Sequence, residues 1–157
     1  MLLRFWMQAI RVRPPQPVAQ FTFQLSDWLV RPLRRVVPGV GGYDWASLLG
    51  AFLIVLVAKS VYFFIGLPFQ VILLLALQSF LQWILYGFMA LLIIEAVFSW
   101  INPQAPLAPF VRALNEPLLR PLRKVVPLVG GLDLTVLVAL ILLQVALMLV
   151  GMLFSVA

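Results

Sequence analysis

Three ionisable residues lie inside long apolar stretches, Arg4, Lys59 and Glu95. A charge in hydrocarbon is costly, so each is a candidate for ion or proton handling, or for an internal ion pair. Two carboxylates recur in one setting, Asp44 and Asp133, each closing a Val-Gly-Gly-x-Asp sequence. Paired acids can share acid–base work. The same placement also suits a helix cap, in which Gly41, Gly42, Gly130 and Gly131 permit a positive-φ turn and the acid accepts a backbone N–H. Neither glycine pair is followed by the Lys-Ser/Thr or dinucleotide spacing of a phosphate cradle. The remaining chemistry is cationic: Arg31, Arg34 and Arg35 in RPLRR, and Arg120, Arg123 and Lys124 in RPLRK. The chain has no Cys and no His. That removes disulfides, thiol nucleophiles, Cys/His zinc sites and histidine general bases, so no catalytic residue, metal or cofactor is expected.

The elements that carry these residues follow from composition. Of 157 residues, 64% are hydrophobic and 10% charged, with a net charge of +6; mean hydropathy is +1.12. Soluble domains carry about 25% charged residues, so the expected solvent is lipid. A bilayer core needs about 20 apolar residues, and three stretches qualify: 45–66, about 80–101 and 134–155. Residues 69–77 are also apolar. Joined to the middle stretch they would form a helix roughly 50 Å long, so they are expected to be a separate interfacial or re-entrant start after a turn at Gly66 and Pro68. Lys59 lies fifteen residues past Asp44, about 22 Å along a helix, where its stem can carry the ammonium to the far interface.

An internal repeat organises the chain. At one offset (120 − 31 = 89), RPLRRVVPGVGGYD matches RPLRKVVPLVGGLD at eleven of fourteen positions. In the same register Pro14 meets Pro103, Pro17 meets Pro106, Phe21 meets Phe110 and Leu25 meets Leu114. Residues 1–12 then correspond to 90–101, the outbound half of a span. The expected fold is an all-α membrane protein: two parallel repeats of a two-span hairpin, 1–68 and 69–157, with amphipathic interfacial helices in the connecting loops. The first span is expected to be N-terminally truncated, the complete molecule having four spans. Both basic loops would be cytoplasmic and the C-terminus outside, by the positive-inside rule.

In the first loop Phe21, Leu25, Trp28 and Leu29 share a helical face with Gln24 and Asp27 turned away; in the second, Phe110, Leu114 and Leu118 have the same spacing. Such a face lies on the membrane or packs on the chain's own spans. Each cation near an anionic leaflet contributes about 1 kcal/mol, so a cluster of three contributes roughly 3 kcal/mol of attachment. The expected partners are anionic lipid headgroups, with an acidic protein partner or a second copy as the sharper alternative; six cations without a soluble module do not point to nucleic acid. Arg4 aligns with Ile93, two residues from Glu95, or about 3 Å of rise. An intramembrane ion pair between Arg4 and Glu95 is therefore expected, either structural or forming a site for an ion or proton.

The duplicated RPLR(R/K)VVP with VGGxD at the mouth of a span, together with LLRFWMQ at the start, resembles the YggT family of bacterial integral membrane proteins over essentially the whole chain. The family pattern maps onto Arg31, Pro32, Arg34, Arg35, Gly42 and Asp44, and onto Arg120, Pro121, Arg123, Lys124, Gly131 and Asp133. The start of the first span departs from it. The resemblance implies a small multi-pass protein of the bacterial cytoplasmic (inner) membrane built from two copies of a two-span unit. Plastid relatives are associated with cytochrome complex maturation and with nucleoid and membrane organisation, bacterial members with cell division and with osmotic or potassium homeostasis. The expected function is a non-enzymatic scaffold or assembly factor acting through its basic loops, the alternative being a subunit in ion transport.

Overall fold

A computed structural model of the chain describes residues 1–37, 39, 41–126 and 134–155. Among these the only regular structure is helical: α1 (Leu2–Ala9), α2 (Gln16–Val36), α3 (Trp45–Lys59) with a 3₁₀ continuation (Ser60–Ile65), α4 (Phe69–Ile101), α5 (Ala108–Arg123) and α6 (Thr135–Ser155). Among the described residues three stretches are long and apolar enough to cross a membrane, Trp45–Ile65, Phe69–Ile101 and Thr135–Phe154.

The helix ends follow local chemistry. Val12 N–H bonds to Met7 O at 3.0 Å and Arg11 N–H to Gln8 O at 3.1 Å, closing α1 with Arg11 at φ 56°. This is the paired-bond C-terminal motif usually built on glycine. Gly66, at φ 83°, ends the first long span, and Pro68 opens α4 with its fixed φ. That turn is where the break falls. Residues 69–77, expected to stand apart, are instead the first turns of one continuous 33-residue helix. The reason is compositional: the segment has no proline and a single glycine, Gly87, so nothing interrupts the backbone ladder. At roughly 50 Å, α4 is longer than a bilayer core of about 30 Å, and therefore tilts or emerges from it.

α4 is the spine. It packs against α3 on one side and α6 on the other, with α5 alongside. Phe80 meets Phe52 of α3 edge-on at 5.5 Å. Towards the other end Leu92, Leu119, Ala139 and Leu143 form a buried cluster from α4, α5 and α6. Outward residues such as Ile141, Met148 and Met152 are large, apolar and exposed. In water such a surface would aggregate; in lipid it is solvated, and close packing holds the helices together.

α2 and α5 lie against the ends of these spans, and their faces divide unexpectedly. In α2 the buried residues are Thr22, Ser26 and Val30. Phe21 and Trp28 are 66% and 68% exposed, with Leu25 similar, so these three are not packed on the chain's own spans, whereas Leu29 of the same stripe sits beside Gly50 of α3. In α5 the matching Leu114 is 1% exposed; the Trp6 indole reaches its carbonyl at 2.9 Å.

Candidate functional site: two buried polar clasps beneath the basic loops

The first clasp forms around Arg4. Its Nη1 donates to Ser26 Oγ at 2.8 Å and to Asp27 Oδ1 at 2.6 Å. Its Nε lies 3.3 Å from Asp44 Oδ2 without a hydrogen-bond partner. Ser26 is held in turn by donating to Thr22 O at 2.7 Å. The α2 helix therefore turns its small hydroxyls inward for a specific reason, since they and Asp27 solvate a guanidinium that is buried. The Arg4 guanidinium also lies 4.8 Å from the centre of the Phe23 ring.

Asp44 joins this cluster to the span. Arg34 grips it with two bonds, Nη2 to Oδ2 at 2.7 Å and Nε to Oδ1 at 3.3 Å. Ser47 donates from its hydroxyl at 2.6 Å and its backbone N–H at 3.4 Å, so Asp44 also caps α3. Gly41 and Gly42 stand at φ 68° and 81°, the left-handed region that glycine tolerates, and deliver the chain to the cap. Burial raises the Asp44 pKa, but the hydrogen bonds from Arg34 and Ser47 and the charges of Arg34 and Arg4 outweigh it and hold the carboxyl below its usual range. Asp27 is also lowered, chiefly by the Arg4 hydrogen bond. Arg34 is raised, first by its bond to Asp44. All three are stably ionised at neutral pH. Arg31, 78% exposed, bonds Asp27 from outside at 2.9 Å.

The second clasp forms around Glu95. Asn115 Nδ2 donates to Glu95 Oε2 at 2.7 Å and to Leu91 O at 3.0 Å. Arg123 places Nη2 3.8 Å from Glu95 Oε1 and donates from Nη1 to Glu116 Oε2 at 2.9 Å. Offset by 89 positions, Asn115 corresponds to Ser26, Glu116 to Asp27 and Arg123 to Arg34. The loop-helix positions are thus reused while the buried span charge changes sign.

The expected Arg4–Glu95 pair is not formed. Each charge is taken by the loop helix that follows it, because loop side chains supply closer partners than the neighbouring span does. At the position matching Glu95 stands Trp6, which stacks edge-on against Phe88 at 4.8 Å. Of the six nominated cations, Arg34 and Arg123 turn inward to the clasps. Arg35, Arg120 and Lys124 are exposed and have no ion-pair partner among the described residues. Gly130, Gly131 and Asp133 lie outside the described residues. Lys59 sits at the end of α3 with its ammonium 5.5 Å from the Tyr62 ring. Sequence reasoning missed Ser26, Asp27 and Asn115; the available signal was that the repeat register aligns a polar pair, Ser-Asp, with another, Asn-Glu. Among the described residues no three acids could share a metal ion.

Span-length apolar helices capped by charged, buried clasps define an all-helical, multi-pass type of membrane protein. The family model described as CCB3/YggT matches residues 1–65 and 74–154, and the chain belongs to that family. It is 36% identical to an uncharacterized protein of Pseudomonas aeruginosa, over 95% of this chain and 79% of that one. It is 33% identical to an uncharacterized protein from the proC 3′ region of Vibrio alginolyticus, over 96% and 84%. It is 32% identical to the uncharacterized protein YggT of Escherichia coli K12, over 92% and 78%. No solved structure matches the chain.

Proposed function

We propose that the chain is a non-enzymatic scaffold or assembly factor of the bacterial cytoplasmic membrane, whose two basic loops face the cytoplasm and hold anionic lipid or protein partners there. One observation carries this reading. The clasps use one arginine of each basic motif internally, leaving Arg31 and Arg35, and Arg120 and Lys124, directed outward at the mouths of the spans. On α2 these cations adjoin an uncovered apolar stripe of Phe21, Leu25 and Trp28. An exposed apolar stripe beside cations suits a helix lying in a membrane interface, where both halves find a matching solvent.

The helix order supports two parallel copies of one unit: α2 and α3 recur as α5 and α6 at nearly the repeat offset, and α1 matches the last turns of α4. The ion-transport alternative needed Arg4 and Glu95 on a common path, and their separate engagement leaves it without that pair. The test is to convert Arg31, Arg35, Arg120 and Lys124 to glutamine while keeping Arg34 and Arg123. The scaffold reading expects a folded, inserted protein that loses its localisation, its charge-dependent crosslinks from position 124 and its ability to rescue a deletion strain. If all three persist, the reading is wrong.

A further inference from the structure

A crevice of about 730 Å³ opens between α1 and α2. It is lined by Arg4, Arg31 and Arg34, and by Gln16, Gln20 and Gln24, which follow one another at helical-turn spacing along α2. We propose that this crevice binds the headgroup of an anionic phospholipid of the phosphatidylglycerol type, a phosphodiester carrying a polyol. The proposal rests on the scaffold reading for its membrane setting, and it names one lipid at one loop.

Four observations converge. Depth comes first: Arg34 holds Asp44, the cap of the span Trp45–Ile65, so the crevice opens level with the end of the apolar segment, where headgroups lie. Charge is second. Three cations, Arg4, Arg31 and Arg34, face two anions, Asp27 and Asp44, leaving 3 − 2 = +1. That matches a phosphodiester with one negative charge, and an ammonium-bearing zwitterionic headgroup would instead meet Arg31 unfavourably.

Hydrogen bonding is third. The glutamine amides are exposed and supply both donors and acceptors, which glycerol hydroxyls and phosphate oxygens require. The fourth is an internal control. The second loop repeats Arg31 and Arg34 as Arg120 and Arg123, yet Arg4 corresponds to Ile93, and Gln16, Gln20 and Gln24 correspond to Ala105, Pro109 and Ala113. The second loop thus keeps the two loop arginines without the buried third cation or the amides, and headgroup selection belongs to the first.

The test uses the full chain in detergent, titrated with phosphatidylglycerol, phosphatidylethanolamine or inorganic phosphate, reading thermal unfolding and the lipid retained in native mass spectrometry. Phosphatidylglycerol is expected to raise the unfolding temperature and to be retained, whereas phosphatidylethanolamine does neither. The double variant Gln20→Ala/Gln24→Ala, at exposed positions outside both clasps, is expected to weaken phosphatidylglycerol binding about tenfold. Arg31→Gln is expected to do the same, and Arg120→Gln, in the loop without the amides, to cost much less. Equal protection by the two lipids, undiminished binding by the glutamine variant, or an equal loss in Arg120→Gln would each overturn the assignment. Protection by inorganic phosphate alone would reassign the crevice to a soluble anion and overturn the lipid. If the glutamine variant binds normally while removing all four outer cations abolishes binding, the scaffold reading survives and this site does not.

Discussion

Ser26 and Asn115, separated by one repeat length and both fully buried, face opposite charges: Ser26 accepts from Arg4 at 2.8 Å, whereas Asn115 donates to Glu95 at 2.7 Å. A hydroxyl can accept from a cation, and an amide NH2 can donate to a carboxylate. The residue type at this shared position thus follows the sign of the charge on the span beneath it.

Removing Asn115 should therefore expose the sign of its partner. Asn115→Ala leaves a buried carboxylate short of its best donor, at a cost of about 1–3 kcal/mol. Adding Glu95→Leu should recover much of that loss, because no charge is left to solvate. A double-mutant cycle on unfolding in detergent reads the coupling, and additive losses would show that the 2.7 Å contact contributes nothing.

Acid should open the first clasp. Asp44 and Asp27 have folded pKa values below the ordinary 3.8, so the unfolded chain binds more protons than the folded one near pH 4. Their contribution is present above that value and is lost as pH falls through the lowered folded pKa. Unfolding temperature should therefore drop as pH falls below about 4, and Asp44→Asn should flatten the drop while lowering stability at pH 7. A wild-type profile unchanged by Asp44→Asn would contradict the assignment.

Trp6 joins α1 to the second half of the molecule through Phe88 and the Leu114 carbonyl. Trp6→Phe keeps the ring contact and loses one hydrogen bond, costing about 1 kcal/mol. Trp6→Ala removes the ring as well, and about 3–5 kcal/mol is expected. Equal effects would assign the whole contribution to the hydrogen bond.

The spans, the caps at Asp44 and the outward cations were legible because each depends on local pattern: apolar length, glycine beside an acid, or a dense basic motif. Two features were not. Whether residues 69–77 continue into the next span depends on the absence of a breaker, and length alone argued the wrong way. The partner of Arg4 depends on how α2 folds back over α1, and no local rule encodes that. Asp27 looked solvent-facing from its helical stripe, yet the inward face of α2 is polar because it serves a buried charge. An amphipathic pattern assumes an apolar interior, and this interior contains Arg4 and Glu95.

Topology can be read directly, because the chain contains no cysteine and each introduced one is a single reporter. Arg35→Cys and Lys124→Cys replace exposed cations outside both clasps, and Phe64→Cys stands at the far end of the span Trp45–Ile65. If both basic loops face the cytoplasm, a membrane-impermeant maleimide should label position 64 in intact cells and positions 35 and 124 only after permeabilisation. One long helix, α4, separates the turn at Gly66 from the second loop, so a single crossing by α4 returns the chain to the side of the first. Labelling of 35 and 124 from opposite sides would mean that α4 does not cross, and the two units would then be inverted rather than parallel.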